Sequence, residues 1–420
     1  MKEIINSIKK DLVYWITMIL LSTMLFYNYT MGSDYLALLC TVGYCFYVLR
    51  CREEYVLPSM VYMSLFAYLF SYNEINLIFF VSFSFIMRIT MTAKSQKPNS
   101  ILLIAYSATH LIATSFSNIN IFLISTILSL LSAYFASLVI EKTKPSLLCN
   151  SFVLSFFMSS LFGFFKESTR LADRFDADEA FEMLRYSGLS YDANFYSLIA
   201  VVSICIVVHN IRKNGSFINY IILVGTILFG MQTLSKSFYL CAAVLVLYSM
   251  VVSKNKKKYA LFIGVGIVLV LPYILDSLLP LLDVMDQRLD RNQDASSFTT
   301  GRTDLWKMYS DILFGSADGL LIGHGAVLPH GMEAAHNTYL ELLFKFGIIG
   351  TFFDVILVTK VFKSVRNKIG KISIETFVYI GTLALLLFAL SSYTFLSLWS
   401  CLLMIIVVSV DNTDNKQIQI

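Results

Sequence analysis

What most limits the folds open to this chain is a repeated feature. Apolar runs of roughly 16 to 25 residues, each long enough as a helix to cross a bilayer core, return about fourteen times. They fall near 11–29, 34–49, 56–72, 76–91, 101–117, 120–140, 147–165, 194–209, 217–234, 237–253, 259–275, 337–360, 376–391 and 393–410. Backbone in hydrocarbon must satisfy its own hydrogen bonds, so such runs fold as helices or as a closed barrel. The alternating pattern of barrel strands is missing, and six prolines in 420 residues leave the runs long. The expectation is one all-α polytopic integral membrane domain over 1–420, with about 14 (12–14) transmembrane helices.

Composition agrees, since 57% hydrophobic and 14% charged residues are far from soluble averages. A net charge of +4 implies no nucleic-acid partner. The seven cysteines lie in or beside apolar runs with no CxxC pair, which points to packing rather than disulfides or metal. The first run follows Lys2, Lys9 and Lys10 as a signal peptide would. It has no small-residue cleavage site, however, and reads as the first transmembrane helix.

Lys and Arg in short loops set orientation. Alternate loops carry Arg50 and Arg52; Arg88, Lys94 and Lys97; Lys142 and Lys144; Arg212 and Lys213; Lys254, Lys256, Lys257 and Lys258; and Lys363, Arg366, Lys368 and Lys371. The loops between them near Gly32, Asn73 and Asn118 carry none. Both termini are therefore expected in the cytoplasm. The two long polar segments, 166–193 and the large loop 276–336, then face outward and form the working surface.

In the second loop, Leu305, Trp306, Tyr309, Ile312 and Leu313 follow Gly301 and Arg302 at helical spacing, which predicts an amphipathic helix at the membrane interface. A cation at a helix start opposes the local dipole, so Arg302 makes sense as a grip on a phosphate or pyrophosphate. The plainer account is a solvated loop arginine. Further on, Gly323-His324-Gly325 and His330 precede His336-Asn337-Thr338 and an apolar run. Thr338 and Glu341 have the spacing of a capping box, so a helix should begin near Thr338 with His336 just outside it, placed to act as a base. A polar residue resting among headgroups is the alternative for His336. Glu341 and Lys345 can pair along the helix, and Gly347 and Gly350 should let another helix approach. The spacing of the three loop histidines fits no metal site well.

The first loop offers Asp176-Ala177-Asp178, a spacing that can hold a divalent cation but more often marks a solvated acidic stretch. Arg185 stands near the membrane beside the turn residues Ser187 and Gly188, where it could meet the same anion as Arg302. Lys236, between Ser235 and Ser237 in a short outer turn, is a third candidate cation.

These residues together resemble the O-antigen polymerase and ligase superfamily. The likeness rests on Gly301-Arg302 to Trp306, on Gly323-His324-Gly325, and on His336-Asn337 followed after nine residues by Gly347 and Gly350. Arg185-Tyr186-Ser187-Gly188 with Asp192 and Asn194 also looks like a segment of that family. The resemblance implies a metal-independent membrane glycosyltransferase of the class C type, needing no cofactor. Its substrate would be an undecaprenyl-pyrophosphate-linked oligosaccharide, at the outer face of a bacterial plasma membrane. Arg185 and Arg302 would bind the pyrophosphate leaving group, with Lys236 as a further cation, and His336 would deprotonate or orient the acceptor hydroxyl. Asn337, Glu341, Gly347 and Gly350 would support it. Members either polymerise repeat units, the reading favoured here, or ligate finished glycan to lipid A core or protein. A chain-length regulator and a flippase are conceivable partners. A transporter of lipid-linked oligosaccharide is the alternative from a different class, but it should place its essential charges at the bilayer midplane.

Overall fold

The computed structural model describes residues 11–32, 34–72, 75–92, 98–115, 121–170, 186–190, 192–214, 216–233, 235–252, 264, 302–325, 334–388, 390 and 396–411. Among these the chain is helical almost throughout. In order the helices are α1 (Leu12–Met31), α2 (Asp34–Arg50), α3 (Glu53–Ser64), α4 (Ile78–Thr92), α5 (Ser100–Ser115), α6 (Ile121–Val139), α7 (Pro145–Arg170) and α8 (Ala193–Asn214). They continue with α9 (Phe217–Met231), α10 (Lys236–Val252), α11 (Arg302–Phe314), α12 (Ala317–Ile322), α13 (Thr338–Ile369), α14 (Glu375–Phe388) and α15 (Leu396–Ser409). Two antiparallel strand pairs of two residues each interrupt them, Ser71–Tyr72 with Ile75–Asn76 and Lys371–Ile372 with Val410–Asp411.

α8 is the axis of the bundle. In its apolar stretch 89% of residues are buried, against 39% for α1, and it packs against α7, α9, α10, α14 and α15. A helix apolar all round belongs inside other helices, and its run Leu198 to Val208 is apolar apart from Ser203. Peripheral helices keep large apolar side chains outward, among them Val13, Ile101 and Phe377, each more than three-quarters exposed. Such a surface suits lipid. Hydroxyls join the helices where apolar contact alone gives no preference within hydrocarbon: Tyr14 to Ser151 at 2.8 Å, Ser22 to Tyr62 at 3.2 Å, and Ser155 donating to the Tyr62 carbonyl at 2.7 Å. The chain is an integral membrane protein, and the all-α expectation holds for the described residues.

Among the described residues four helices are long and apolar enough to cross a membrane unaided: Leu12–Met31, Pro145–Phe165, Ala193–Lys213 and Thr338–Ile369. The expected span 56–72 is not one continuous helix. α3 ends at Ser64, and a 3-10 turn at Ala67–Leu69 and the first strand pair follow. The expected span 259–275 lies outside the described residues, apart from a helical Gly264.

The described residues of the basic loops meet at one end of the bundle. There Lys142 pairs with Glu53 at 2.6 Å and Lys144 with Glu54 at 3.5 Å, while Arg88 donates to the Cys51 carbonyl. Lys368 donates to the carbonyls of Ser137 and Leu138 at 3.1 and 2.7 Å, and the Lys371–Ile372 pair lies beside it. Close by, the fully buried Glu375 takes Arg212 at 2.6 Å and His209 at 3.1 Å. Tyr55 donates to Asp11, so α1 starts at this end, and Ser373 donates to Ser409, so α15 finishes there.

Candidate functional site

The opposite end is organised by α13. Its N-cap is Asn337, whose Oδ1 accepts from the amides of Tyr339 and Leu340 at 3.1 and 3.2 Å. The start at Thr338 was expected, but the capping box was not realised. A helix end close to protein can spend its hydroxyl elsewhere: Thr338 donates to the Leu390 carbonyl at 2.7 Å, and Asn337 takes over the orphan amides. Glu341, buried, pairs with Lys345 at 3.3 Å as the spacing suggested. His336, half-buried, stands just before the cap with φ 49°, the sole non-glycine with positive φ among the described residues. Left-handed backbone is tolerated by histidine better than by most residues, and such outliers gather at functional sites.

α13 breaks at Gly347, where φ 62° and ψ −171° leave helical space. That region is open essentially to glycine alone. The break withdraws the amides that the Phe344 and Lys345 carbonyls would have accepted from. Those carbonyls are taken by the amides of His324 and Gly325, at 2.7 and 3.1 Å. The Gly323-His324-Gly325 turn is therefore a latch on the kinked helix. The His324 ring stacks on Phe344 with centroids 4.8 Å apart, so this histidine serves packing. Of the two motif glycines one admits another helix as expected: at Gly347 the Leu321 carbonyl of α12 stands where a side chain would be. The Gly323 turn that follows α12 also passes there, whereas a side chain at Gly350 would meet Phe346 of its own helix.

α11 starts at Arg302, as the spacing predicted. Its apolar stripe of Leu305, Trp306, Tyr309 and Leu313 packs on Phe344, Leu340, Leu343 and Ala335 instead of on lipid, while Ile312 is exposed. Trp306 Nε1 donates to the Ala335 carbonyl at 2.7 Å, immediately before His336, and its ring lies edge-on to Phe388 at 5.1 Å. Tyr309 is buried beside Phe344, at 4.7 Å. Burial and the nearby Glu341 carboxylate hold its hydroxyl above the usual phenol range, so it stays neutral. Arg302 is four residues, about 6 Å along the axis, from the tryptophan that grips the histidine turn. The loop 276–336 thus contains at least two helices, α11 and α12.

The same end carries Lys236, exposed at the first residue of α10. α10 runs antiparallel to α14, with Cys241 against the Thr382 carbonyl at 3.7 Å and Tyr248 edge-on to Tyr379 at 6.0 Å. This brings the Lys236 end level with Phe388. The Tyr186 amide donates to the Gln232 carbonyl at 2.9 Å, pinning the chain just after position 185 to the turn before Lys236. Gly188 lies against Gly163 and the Tyr196 ring with no room for a side chain, and Asp192 Oδ1 caps α8 through the Asn194 amide at 2.6 Å. Arg185, Asp176, Asp178 and His330 lie outside the described residues. Among the described residues no group of three or more His, Cys, Asp or Glu could hold a metal ion.

Sequence reading passed over His110 and Asp354, which meet between α5 and α13. The available signal was an ionisable residue in the middle of an apolar run.

Residues 220–353 match the family model described as O-antigen ligase. The chain therefore carries an O-antigen ligase family domain. It spans α9 and α10, the α11–α12 pair, the latch, His336 and the kinked start of α13, and it supports placement in the O-antigen ligase and polymerase superfamily. No curated protein and no solved structure matches the chain. The domain implies an enzyme of the glycosyl-transfer type.

Proposed function

We propose that this protein is a polysaccharide polymerase, a metal-independent membrane glycosyltransferase joining undecaprenyl-pyrophosphate-linked oligosaccharide units at the outer face of the plasma membrane. The carrying observation is the Trp306 to Ala335 hydrogen bond, which ties the helix begun by Arg302 to the turn that presents His336. In this reading that bond holds an anion grip beside a base. The clustering of basic loops at the far end supports an outward-facing site, since such loops stay in the cytoplasm.

In this reading Arg302, with Arg185 and Lys236, holds the pyrophosphate. The guanidinium fork meets two oxygens and stabilises the charge that develops as the glycosyl–phosphate bond breaks. His336 accepts the proton of the attacking acceptor hydroxyl. The new glycosidic bond forms at the donor's anomeric carbon, and undecaprenyl pyrophosphate departs. Asn337 and the Gly347 latch keep the histidine turn in place.

The description of the matched family favours a second reading, in which the same chemistry transfers finished glycan to a final acceptor. The test is an electrophoretic profile of surface glycan and carrier-linked glycan with and without the gene. Single repeat units on the acceptor after deletion support the polymerase. Polymer accumulating on the carrier, with none on the acceptor, supports the ligase, and no change in either pool overturns both.

A further inference from the structure

His110 of α5 is fully buried, and its Nε2 lies 3.1 Å from Oδ1 of Asp354, itself buried on α13. Nδ1 lies 2.9 Å from the Tyr106 carbonyl, which can only accept, so Nδ1 carries a proton. Nε2 then faces the Asp354 carboxyl group. Ionisable groups within apolar spans are rare and expensive, and those retained mark function.

The location indicates which function. The His110 ring lies 4.2 Å from the ring of Phe346, the residue just before the Gly347 break, while Asp354 stands seven residues beyond the break. One imidazole therefore touches both halves of the kinked helix. The half before the break begins with Asn337 and His336 and bears the latch; the half after it is the spanning segment. A helix interrupted by glycine has no hydrogen bond of its own to fix its bend. Something outside it has to do so.

We propose that His110 and Asp354 are a positioning pair, a splint across the Gly347 kink that sets where the His336 turn stands relative to the membrane-spanning part of α13. Neither residue touches substrate. Apolar side chains of the same volume would fill the space, but would not fix one ring against both halves.

The chain's other tryptophans are Trp15 and Trp399. With both replaced by Phe, emission from Trp306 reports whether α11 stays docked on the carbonyl before His336, whatever the enzyme's activity. His110→Ala is expected to shift that emission to the red. It should also lower kcat about tenfold or more while KM for the lipid-linked donor stays within about twofold. Asp354→Asn should keep both close to the parent, because its amide can donate to a neutral Nε2, whereas Asp354→Leu should behave like His110→Ala. Unchanged emission in His110→Ala overturns the proposal, whatever its kcat. If that variant fails to accumulate in membranes, equal emission from Asp354→Asn and Asp354→Leu overturns it instead. The kinetic arm rests on the function proposed above. Should His336→Ala retain normal product, that function fails while the emission arm still decides the splint.

Discussion

Gly323 and Gly347 cross backbone to backbone, so closely that a side-chain carbon on either would stand 2.6 Å from the other's amide nitrogen. The crossing joins the Gly323-His324-Gly325 motif and the Gly347 motif into one device. Gly347→Ala should abolish product and lower the melting temperature in detergent, since its backbone region alone costs a non-glycine roughly 1–3 kcal/mol. Gly381→Ala, whose side chain would enter open space within α14, is the control and should be neutral or slightly stabilising. Equal behaviour of the two variants would refute the latch.

Asn337 should tolerate Asp or Ser and not Ala. The first two keep an oxygen for the Tyr339 and Leu340 amides, whereas Ala forfeits about 1 kcal/mol of cap and frees the His336 turn. Product formation in membranes containing matched amounts of each variant checks this; an Ala variant as active as Asp would show the cap to be irrelevant.

Trp306→Phe retains an aromatic ring beside Phe388 but loses the donor to Ala335, a bond worth about 1 kcal/mol. Turnover should drop roughly fivefold, and Trp306→Ala should be far worse because the ring also packs against the cluster of Tyr309, Leu313, Ala335 and Phe344. Steady-state rates on lipid-linked donor decide it, and unaltered turnover in Trp306→Ala would contradict the docking role.

His336→Ala and Arg302→Ala should abolish polymer while leaving the protein inserted and abundant. Arg302→Lys should restore little, because an ammonium cannot reproduce the planar fork. His330→Ala should be mild. Normal chain-length products from His336→Ala would remove the base assignment.

Chelation by EDTA, and the double change Asp176→Ala with Asp178→Ala, should leave activity intact. Activity lost on either treatment and restored by a divalent cation would overturn the metal-free reading.

Helix starts were the most legible feature of the sequence. Arg302 and Thr338 were placed correctly because spacing and apolar periodicity are local. The cap was misjudged for a reason the sequence does not contain. Thr338 is drawn to a carbonyl 52 residues away, so its neighbour assumes the role. Likewise the stripe on α11 is amphipathic in the sequence whether lipid or protein covers it; only the position of Phe344 decides that protein does.

The sequence by itself determined the membrane as solvent, the helical class and the grouping of basic loops. These follow from apolar run length and charge distribution, which need no partner to be read. Tertiary structure alone decided that Gly347 breaks the helix, that the Gly323-His324-Gly325 turn takes up the freed carbonyls, and that His110 reaches across the break to Asp354. Each joins residues distant along the chain, and single-sequence periodicity carries no information about such distances once the intervening helices have folded.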